Sequence, residues 1–409
     1  MREQGSLAVI GLGYIGLPTA VVLAQNGWKV TGVDVSDRTL EFVNAGRLPF
    51  VEEGLESALK EVVDSDALVA QKETPASDVY IISVPTPFKG DHEADLSYID
   101  AAIDKIIPQL QGDELVVLES TSPPLTTERM AERVFAARPD LKREGEGHVM
   151  FAHAPERVLP GRIMIEMTAN DRIIGGLTPE ATQRAKEVYD TFCAGHVHTT
   201  DAKTAELAKL VENSFRDVNI AFANELSLIA QDLGIDVWEL IELANKHPRV
   251  NILRPGPGVG GGHCIAVDPW FIVSADRKNS RLINTARQVN DAKPKWVLSQ
   301  VRAALEGKQA PKVAILGLAF KPNIDDLRES PALRIATELI EGGKGQFDVY
   351  EPNIAELPDI LCGKGATLKD TANPGRGYDL VLVLVGHDQF TPEFLSGLQA
   401  DQTFNYIGK

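Results

Sequence analysis

The chain has 409 residues, of which 44% are apolar and 24% charged, with a formal net charge of −17 and three cysteines. Length and balance describe a globular protein of about two or three domains. The acidic surface argues against a nucleic-acid partner, whose phosphates need a basic face. Cys193, Cys264 and Cys362 are too few and too scattered for a disulfide framework or a zinc site.

The first apolar run, SLAVIGLGYIGLPTAVVLAQNGW, lacks the basic start and small-residue cleavage site of a secretory leader. No other segment offers the roughly 20 uninterrupted apolar residues of a membrane span. The expected location is therefore the cytoplasm, with no membrane contact and no metal. Glycines interrupt the first run at a telling spacing: Gly11, Gly13 and Gly16 follow the strand-like LAVI and open a helix. A lone G-x-G-x-x-G says little, but here Asp34 also ends the next strand-like run, 23 residues beyond Gly11. This is the plan of a dinucleotide site, with the pyrophosphate on the helix N-terminus and the acid on the ribose hydroxyls. Asp34 would repel a 2′-phosphate, which favours NAD over NADP, while Arg38 either weakens that preference or stacks on the adenine. Tyr14 and Ile15, inside the glycine turn, join the expected cofactor contacts.

Further strand-like runs follow in VYIISV, ELVVLES, HVMFAHA and DRIIGG, alternating with helical stretches, which predicts a parallel sheet with crossover helices. Pro85 and Thr86 (in VPTP) and Thr121 (in EST) fall at strand ends, where ligands sit in such sheets. They read either as turn formers or as contacts to the cofactor. From Thr200 to Leu233 there is no Gly or Pro, and one long helix is predicted. More helix follows in VWELIELANKH, then the loop GPGVGGGHC, then a helix from about Arg281 to Leu305. A second alternating set, KVAILGL, FDVYEP and YDLVLVLVG, closes the chain. The expected fold is α/β: two Rossmann-like doubly wound domains joined by a long central helix and a helical domain. The expected division is 1–199, 200–308 and 309–409.

On the long helix, Lys209, Asn213 and Arg216 fall at i, i+4 and i+7, within roughly 60° of arc. The stripe is either a solvated face or part of a site. The glycine-rich loop before Cys264 likewise has two readings, a flexible turn onto a buried thiol or open walls around a nucleophile. A thiolate near a nicotinamide cofactor points to attack on a carbonyl carbon.

With these pieces assembled, the chain resembles the nucleotide-sugar 6-dehydrogenases, the family of UDP-glucose dehydrogenase, over essentially its full length. The resemblance rests on GLGYIGLP at 11–18, VPTP at 84–87, AELAKLVENSFRDVNIAFANE at 205–225, the Gly-rich loop before Cys264, and GLAFKPNIDDLRESP at 317–331. HAPERVLPGR, HPRVNI and GHCIAVDPWF are similar to the UDP-N-acetylmannosamine branch. The resemblance implies a four-electron oxidation of a sugar C6 alcohol with two NAD per sugar. Cys264 would add to the intermediate aldehyde, and Lys209 would donate and accept protons and stabilise the oxyanion. Glu156 would do acid–base work or activate water, Asn213 would hold the intermediate's oxygen, and Asp268 would support the lysine and water. Arg157, Val158, Lys209, Asn213, Arg216, His247, Arg249, Gly260, Phe320 and Lys321 match substrate contacts, and Arg328 matches a residue touching NAD. The implied partners are a UDP-sugar and a second copy of the chain, as a homodimer or higher homo-oligomer docked through the long helix.

In one respect the sequence departs from this pattern. Three glycines, Gly260 to Gly262, separate Val259 from His263 where relatives have two, and one added residue lengthens the chain by about 3 Å. The nearest alternative is the same oxidation of UDP-N-acetylglucosamine or UDP-glucose, while a two-electron hydroxyacid-type dehydrogenase would need no cysteine, so Cys264 separates it from this reading. A catalytically silent nucleotide-sugar-binding homologue is the reading that the extra glycine would favour.

Overall fold

A computed structural model describes residues 5–50, 52–159, 161–259, 262–343 and 345–408. The chain folds into two compact units, Met1–Val211 and Glu212–Lys409.

The first unit is built on an eight-stranded sheet. Its strands are β1 (Ser6–Ile10), β2 (Lys29–Val33), β3 (Leu68–Gln71), β4 (Val79–Ile82), β7 (Leu115–Leu118), β8 (Met150–His153), β9 (Arg172–Gly176) and β10 (Val197–Asp201), with a small hairpin of β5 (Phe88–Lys89) and β6 (Glu93–Ala94) beside it. Helices α1 (Gly16–Gln25), α2 (Asp37–Asn44), α3 (Leu55–Asp64), α4 (Ser97–Ile106), α5 (Thr126–Ala137), α6 (Ile163–Ala169) and α7 (Pro179–Tyr189) connect them. The strand order is β10-β9-β8-β7-β4-β1-β2-β3. β4 and β7 are buried along their whole length, as strands covered on both faces are. Two apolar cores lie against the sheet, one gathered around Leu17, Val21, Leu55 and Leu59, the other around Ile103, Met130 and Val134.

The sheet differs from the all-parallel expectation at one seam. β8 and β9 run antiparallel, sharing only the pairs Ala152↔Gly176 and His153↔Gly175. Helix α6 between them is short, so the chain returns down the sheet instead of crossing over it, and two strands that both read as apolar runs look alike in either direction.

Helix α8 (Ala202–Asp232) carries the chain from the first unit into the second, which continues with α9 (Val237–Ala244), α10 (Gly262–Ala275) and α11 (Arg281–Ala304). A five-stranded sheet follows, with β11 (Lys312–Leu316), β12 (Gln346–Tyr350), β13 (Ala366–Leu368), β14 (Tyr378–Val383) and β15 (Ala400–Asn405), and with helices α12 (Pro331–Gly342) and α13 (Pro392–Gly397). Its order is β13-β12-β11-β14-β15. Every pair is parallel. Both sheets therefore share one doubly wound plan, in which the strand order reverses beside β1 in the first and beside β11 in the second.

Caps explain where several helices start. Ser36, Thr178, Ser330 and Thr391 each accept an N–H from the first turn of the helix that follows, and Pro179, Pro331 and Pro392 sit where a missing N–H costs nothing. Helix α10 has no such signature. It contains Pro269 and is apolar on every side, with Ile265, Val267, Phe271 and Val273 all buried, so neither periodicity nor propensity distinguishes it from loop. No helix among the described residues is long and apolar enough to cross a membrane. Nor do those residues hold a group of three or more His, Cys, Asp or Glu able to bind a metal ion.

Candidate active site

In the first unit the glycine turn sits at the carboxyl end of β1, beside the reversal in strand order. Gly11 has φ +96°, and a Cβ there would lie 2.3 Å from the Ser83 carbonyl oxygen. A Cβ on Gly16 would lie 1.9 Å from the Gly11 carbonyl oxygen, so only glycine lets α1 start this close. Gly13 is different: it is exposed, and a Cβ there would meet nothing within 4 Å. Two glycines thus shape the turn and the third leaves open space over the N-terminus of α1, whose N-cap Ile15 supplies no side-chain acceptor. Such a cradle fits a pyrophosphate.

Asp34, at the end of β2, accepts from the backbone N–H of Leu12 (2.9 Å) and of Ser36 (2.9 Å), which fixes its carboxylate beside the turn. Tyr14 stacks on Phe50 with ring centroids 4.3 Å apart. Arg38 is exposed and lies over the Phe42 ring. Pro85 is exposed after β4, and Thr86 donates to the Thr121 carbonyl at 2.6 Å, tying the ends of β4 and β7 together. These residues fit NAD.

Gly13→Val tests the cradle directly. Its branched side chain would enter open space, so the fold should hold, with melting within about 2 °C of wild type. NAD affinity should fall by at least about 100-fold, on the order of 3 kcal/mol. Calorimetric titration with NAD reads the result, and unchanged affinity would place the cofactor elsewhere.

Glu156 is buried just beyond β8. Its Oε1 accepts from the Arg157 N–H (2.8 Å) and its Oε2 from Arg172 Nη2 (2.6 Å). Arg172, itself buried, lies over the rings of Tyr189 and Phe192. Beside this pair, Glu119 accepts from the Thr19 hydroxyl and the Tyr189 O–H. Complete burial pushes its pKa up to about 8, helped by the neighbouring Glu156 carboxylate and opposed by Arg172. Nothing in the spacing of residues 119, 156, 172 and 189 announces this cluster, although Glu119 ends a run that marks a ligand-bearing edge. The Arg157 guanidinium donates to the Asp171 carbonyl oxygen and lines a cleft with His198, Thr200 and Thr204, while Val158 packs against the first apolar core. Lys209 is half-buried on α8.

In the second unit, α8 continues with Asn213 half-buried and Arg216 exposed. Asn213 Nδ2 donates to Oδ2 of the buried Asp268 at 2.5 Å. The aspartate expected to orient water or the lysine therefore also holds the stripe's asparagine. Cys264 is exposed and lies in the first turn of α10, where the helix dipole favours an anionic side chain. The buried-thiol reading of the glycine loop is thereby set aside. Gly260 lies outside the described residues, as does Gly261, so the added glycine falls where no geometry is described. His247 and Arg249 are exposed beyond α9, and the Arg249 N–H meets His247 Nδ1 at 3.3 Å.

A cavity of about 360 Å³ lies within this unit, where the order of the second sheet reverses. Arg216 and Ile220 of α8, residues 253–258, Phe320 and Val385 line it. Lys321 is exposed nearby in sequence, and Arg328 makes a bidentate pair with Asp326 (2.9 and 2.6 Å). The turn after β11 repeats the turn after β1 with a difference. Gly317 has φ +91°, matching Gly11, and Glu351 at the end of β12 accepts the N–H groups of Leu318 (2.7 Å) and Ala319 (3.0 Å), as Asp34 accepts that of Leu12. Yet Glu351 is closed off, for its Oε2 also meets His387 Nε2 at 2.9 Å and both side chains are fully buried. Hydrogen bonds from His387 and the two amides hold the Glu351 carboxyl below its usual range against the opposing effect of burial. An acid in that state is not available to a ribose diol.

Comparison with known proteins agrees with this anatomy. Three domain descriptions of the UDP-glucose/GDP-mannose dehydrogenase family match the chain: the NAD binding domain over residues 5–193, the central domain over 203–292 and the UDP binding domain over 314–401. A UDP-N-acetyl-D-mannosamine dehydrogenase of Yersinia pestis is 52% identical over 397 residues, covering 94% of each chain. An NDP-N-acetyl-D-galactosaminuronic acid dehydrogenase of Ralstonia nicotianae is 50% identical, covering 94% of this chain and 91% of its own. Among solved structures, a UDP-N-acetyl-mannosamine dehydrogenase from S. aureus superposes with a TM-score of 0.86 at 39% identity, covering 98% of this chain and 94% of that one. With a glycine turn of dinucleotide type in its first unit, a cavity at the strand reversal of its second and matches along its whole length, the chain belongs to the UDP-glucose/GDP-mannose dehydrogenase family, as an NAD-dependent dehydrogenase of nucleotide sugars.

Proposed function

We propose that the protein oxidises the C6 alcohol of UDP-N-acetyl-D-mannosamine to the carboxylate, giving UDP-N-acetyl-D-mannosaminuronate. The observation that carries the four-electron chemistry is Cys264, an exposed thiol at the start of α10. The sugar is taken from the 52% identity to a dehydrogenase of that name. NAD, when bound at the glycine turn, supplies the hydride acceptor for each oxidation.

The chain's own residues do the rest. Lys209 takes the proton of the C6 hydroxyl as the aldehyde forms. The Cys264 thiolate then adds to the aldehyde carbon, forming a C–S bond, and the resulting oxyanion is stabilised by Lys209 and by the remaining amide donor of Asn213. Loss of the second hydride leaves a thioester. Water, deprotonated with the help of Glu156 or Asp268, attacks its carbonyl carbon, the C–S bond breaks, and the thiolate is regenerated. Arg157, Val158, Arg216, His247, Arg249, Gly260, Phe320 and Lys321 hold the nucleotide sugar, and Arg328 contacts the cofactor.

The buried state of Glu351 supports a nucleoside diphosphate rather than a second NAD in the cavity of the second unit. We assign residues 1–199 to NAD binding, 200–308 to dimerisation and the catalytic loop, and 309–409 to the UDP-sugar. The dimer is supported by an unpartnered apolar seam on α8: Phe215, Phe222, Ile229 and Leu233 are 71%, 52%, 48% and 67% exposed and recur on one helical face.

The deciding experiment counts NADH per sugar with UDP-N-acetylmannosamine, UDP-N-acetylglucosamine, UDP-N-acetylgalactosamine and UDP-glucose in parallel. Two NADH per molecule from the first alone is the expected result. Turnover of another sugar would move the substrate and keep the chemistry, whereas one NADH per molecule would refute the thioester route.

A further inference from the structure

Asn224 stands in the C-terminal half of α8, fully buried, with no charge and no direct part in the chemistry above. Its Oδ1 accepts the Gly256 N–H at 2.9 Å. Its Nδ2 donates to the Gly258 carbonyl at 3.2 Å and to Asn290 Oδ1 at 2.9 Å. One amide thus grips both edges of the loop at 256–258. Reversing it would set an NH2 group against an N–H and an oxygen against two acceptors, so the orientation is determined by its partners.

The grip is itself anchored. Asn290 Nδ2 donates to the Asp217 carbonyl (3.0 Å) and to its Oδ1 (2.8 Å), and Arg287 Nη1 donates to that same Oδ1 at 2.6 Å. Asn290, Asp217 and Arg287 are all buried, and hydrogen bonds made in a dry interior resist rearrangement. The loop has little slack of its own. A Cβ on Gly258 would lie 2.6 Å from Pro331 Cβ, and beyond it Val259 and Ile265 bury together against Ile220. Gly256 and Gly258 form part of the wall of the nucleotide cavity, and Ile265 adjoins Cys264 in α10.

We propose that Asn224 is a positioning residue that sets the 256–258 loop, and through it both the nucleotide cavity and the approach to Cys264. This rests on reading Cys264 as the nucleophile and the cavity as the UDP-sugar site. The role needs one acceptor and two donors in a plane at short reach, which asparagine alone supplies. Asn224→Asp keeps the shape and the acceptor for Gly256, loses both donors, and places a carboxylate against two oxygens.

The test measures iodoacetamide alkylation of Cys193, Cys264 and Cys362 separately by mass spectrometry, with calorimetric titration of UDP and of NAD, in wild type and Asn224→Asp. The expected result is a change of at least about fivefold in the Cys264 rate. The other two cysteines should stay within about twofold, UDP should bind about tenfold more weakly, as for loss of one or two buried hydrogen bonds, and NAD affinity should be unaltered. Unchanged Cys264 reactivity and UDP affinity would overturn the proposal. Equal acceleration of all three cysteines would also overturn it, since that reports general loosening. Should the wild type fail to bind UDP, the UDP-sugar reading falls while the Cys264 rate still decides the loop's role. If Asn224→Asp does not fold, Asn290→Ala, which releases only one of the Asn224 bonds, should shift Cys264 in the same direction by a smaller factor.

Discussion

Cys264→Ala is expected to lower NADH production from the nucleotide sugar by at least about 10⁴-fold, the scale on which enzymes lose rate with their nucleophile. The thiol is exposed at the first turn of α10, so removing its sulfur leaves no buried cavity. Melting temperature and NAD affinity should therefore stay close to wild type, NAD affinity within about twofold, because the glycine cradle belongs to the first unit. Cys264→Ser should retain a trace more activity, since a hydroxyl can add to an aldehyde but is poorly ionised. Steady-state assays at saturating NAD, followed by product analysis for the uronate, check both variants. Full two-NADH turnover by Cys264→Ala would end the thioester mechanism.

The second large effect concerns stability and its dependence on pH. Glu119 has a folded pKa of about 8 against an ordinary value of 4.5. Between those values the folded protein holds a proton that the unfolded chain has released. Stability therefore falls as pH rises through that window, and the contribution is fully present only below the ordinary value. At 1.36 kcal/mol per pH unit, the total is on the order of 3–5 kcal/mol. Glu119→Gln keeps a neutral group of the same shape beside Thr19 and Tyr189, so the variant should lose that slope and become relatively more stable toward pH 8. Denaturant unfolding from pH 5 to 8, followed by hydrogen exchange in first-unit peptides, gives the comparison. Parallel curves for wild type and variant would mean that Glu119 is ionised in the folded state.

Much of the fold is legible from the chain because its signals are local. Apolar runs of four to six residues became β1, β2, β4, β7, β11, β12 and β14, and the stretch without Gly or Pro became α8. The tight turn at Gly11, the open space at Gly13 and the close approach at Gly16 could be read from spacing because each concerns its own turn. The antiparallel return of β9 and the helix around Cys264 were not legible, the first because strand direction leaves no pattern and the second because a helix apolar on all sides has no period. The contacts of Glu156 with Arg172, Asn224 with Gly256, and Glu351 with His387 join positions 16, 32 and 36 residues apart. A sequence displays such residues without displaying that they meet.

Asp34 and Glu351 show how little separates two kinds of address. Each acid follows the second strand of its doubly wound sheet and holds the amides of the turn after the first strand. In the first unit the carboxylate remains half-buried beside open space; in the second a histidine ring has closed over it. One doubly wound plan used twice therefore presents its acid in two ways, because a single side chain from the fourth strand's end engages Glu351 where nothing comparable among the described residues covers Asp34. A designer seeking to convert such a fold from one nucleotide to another would begin at that lock, leaving the glycines alone.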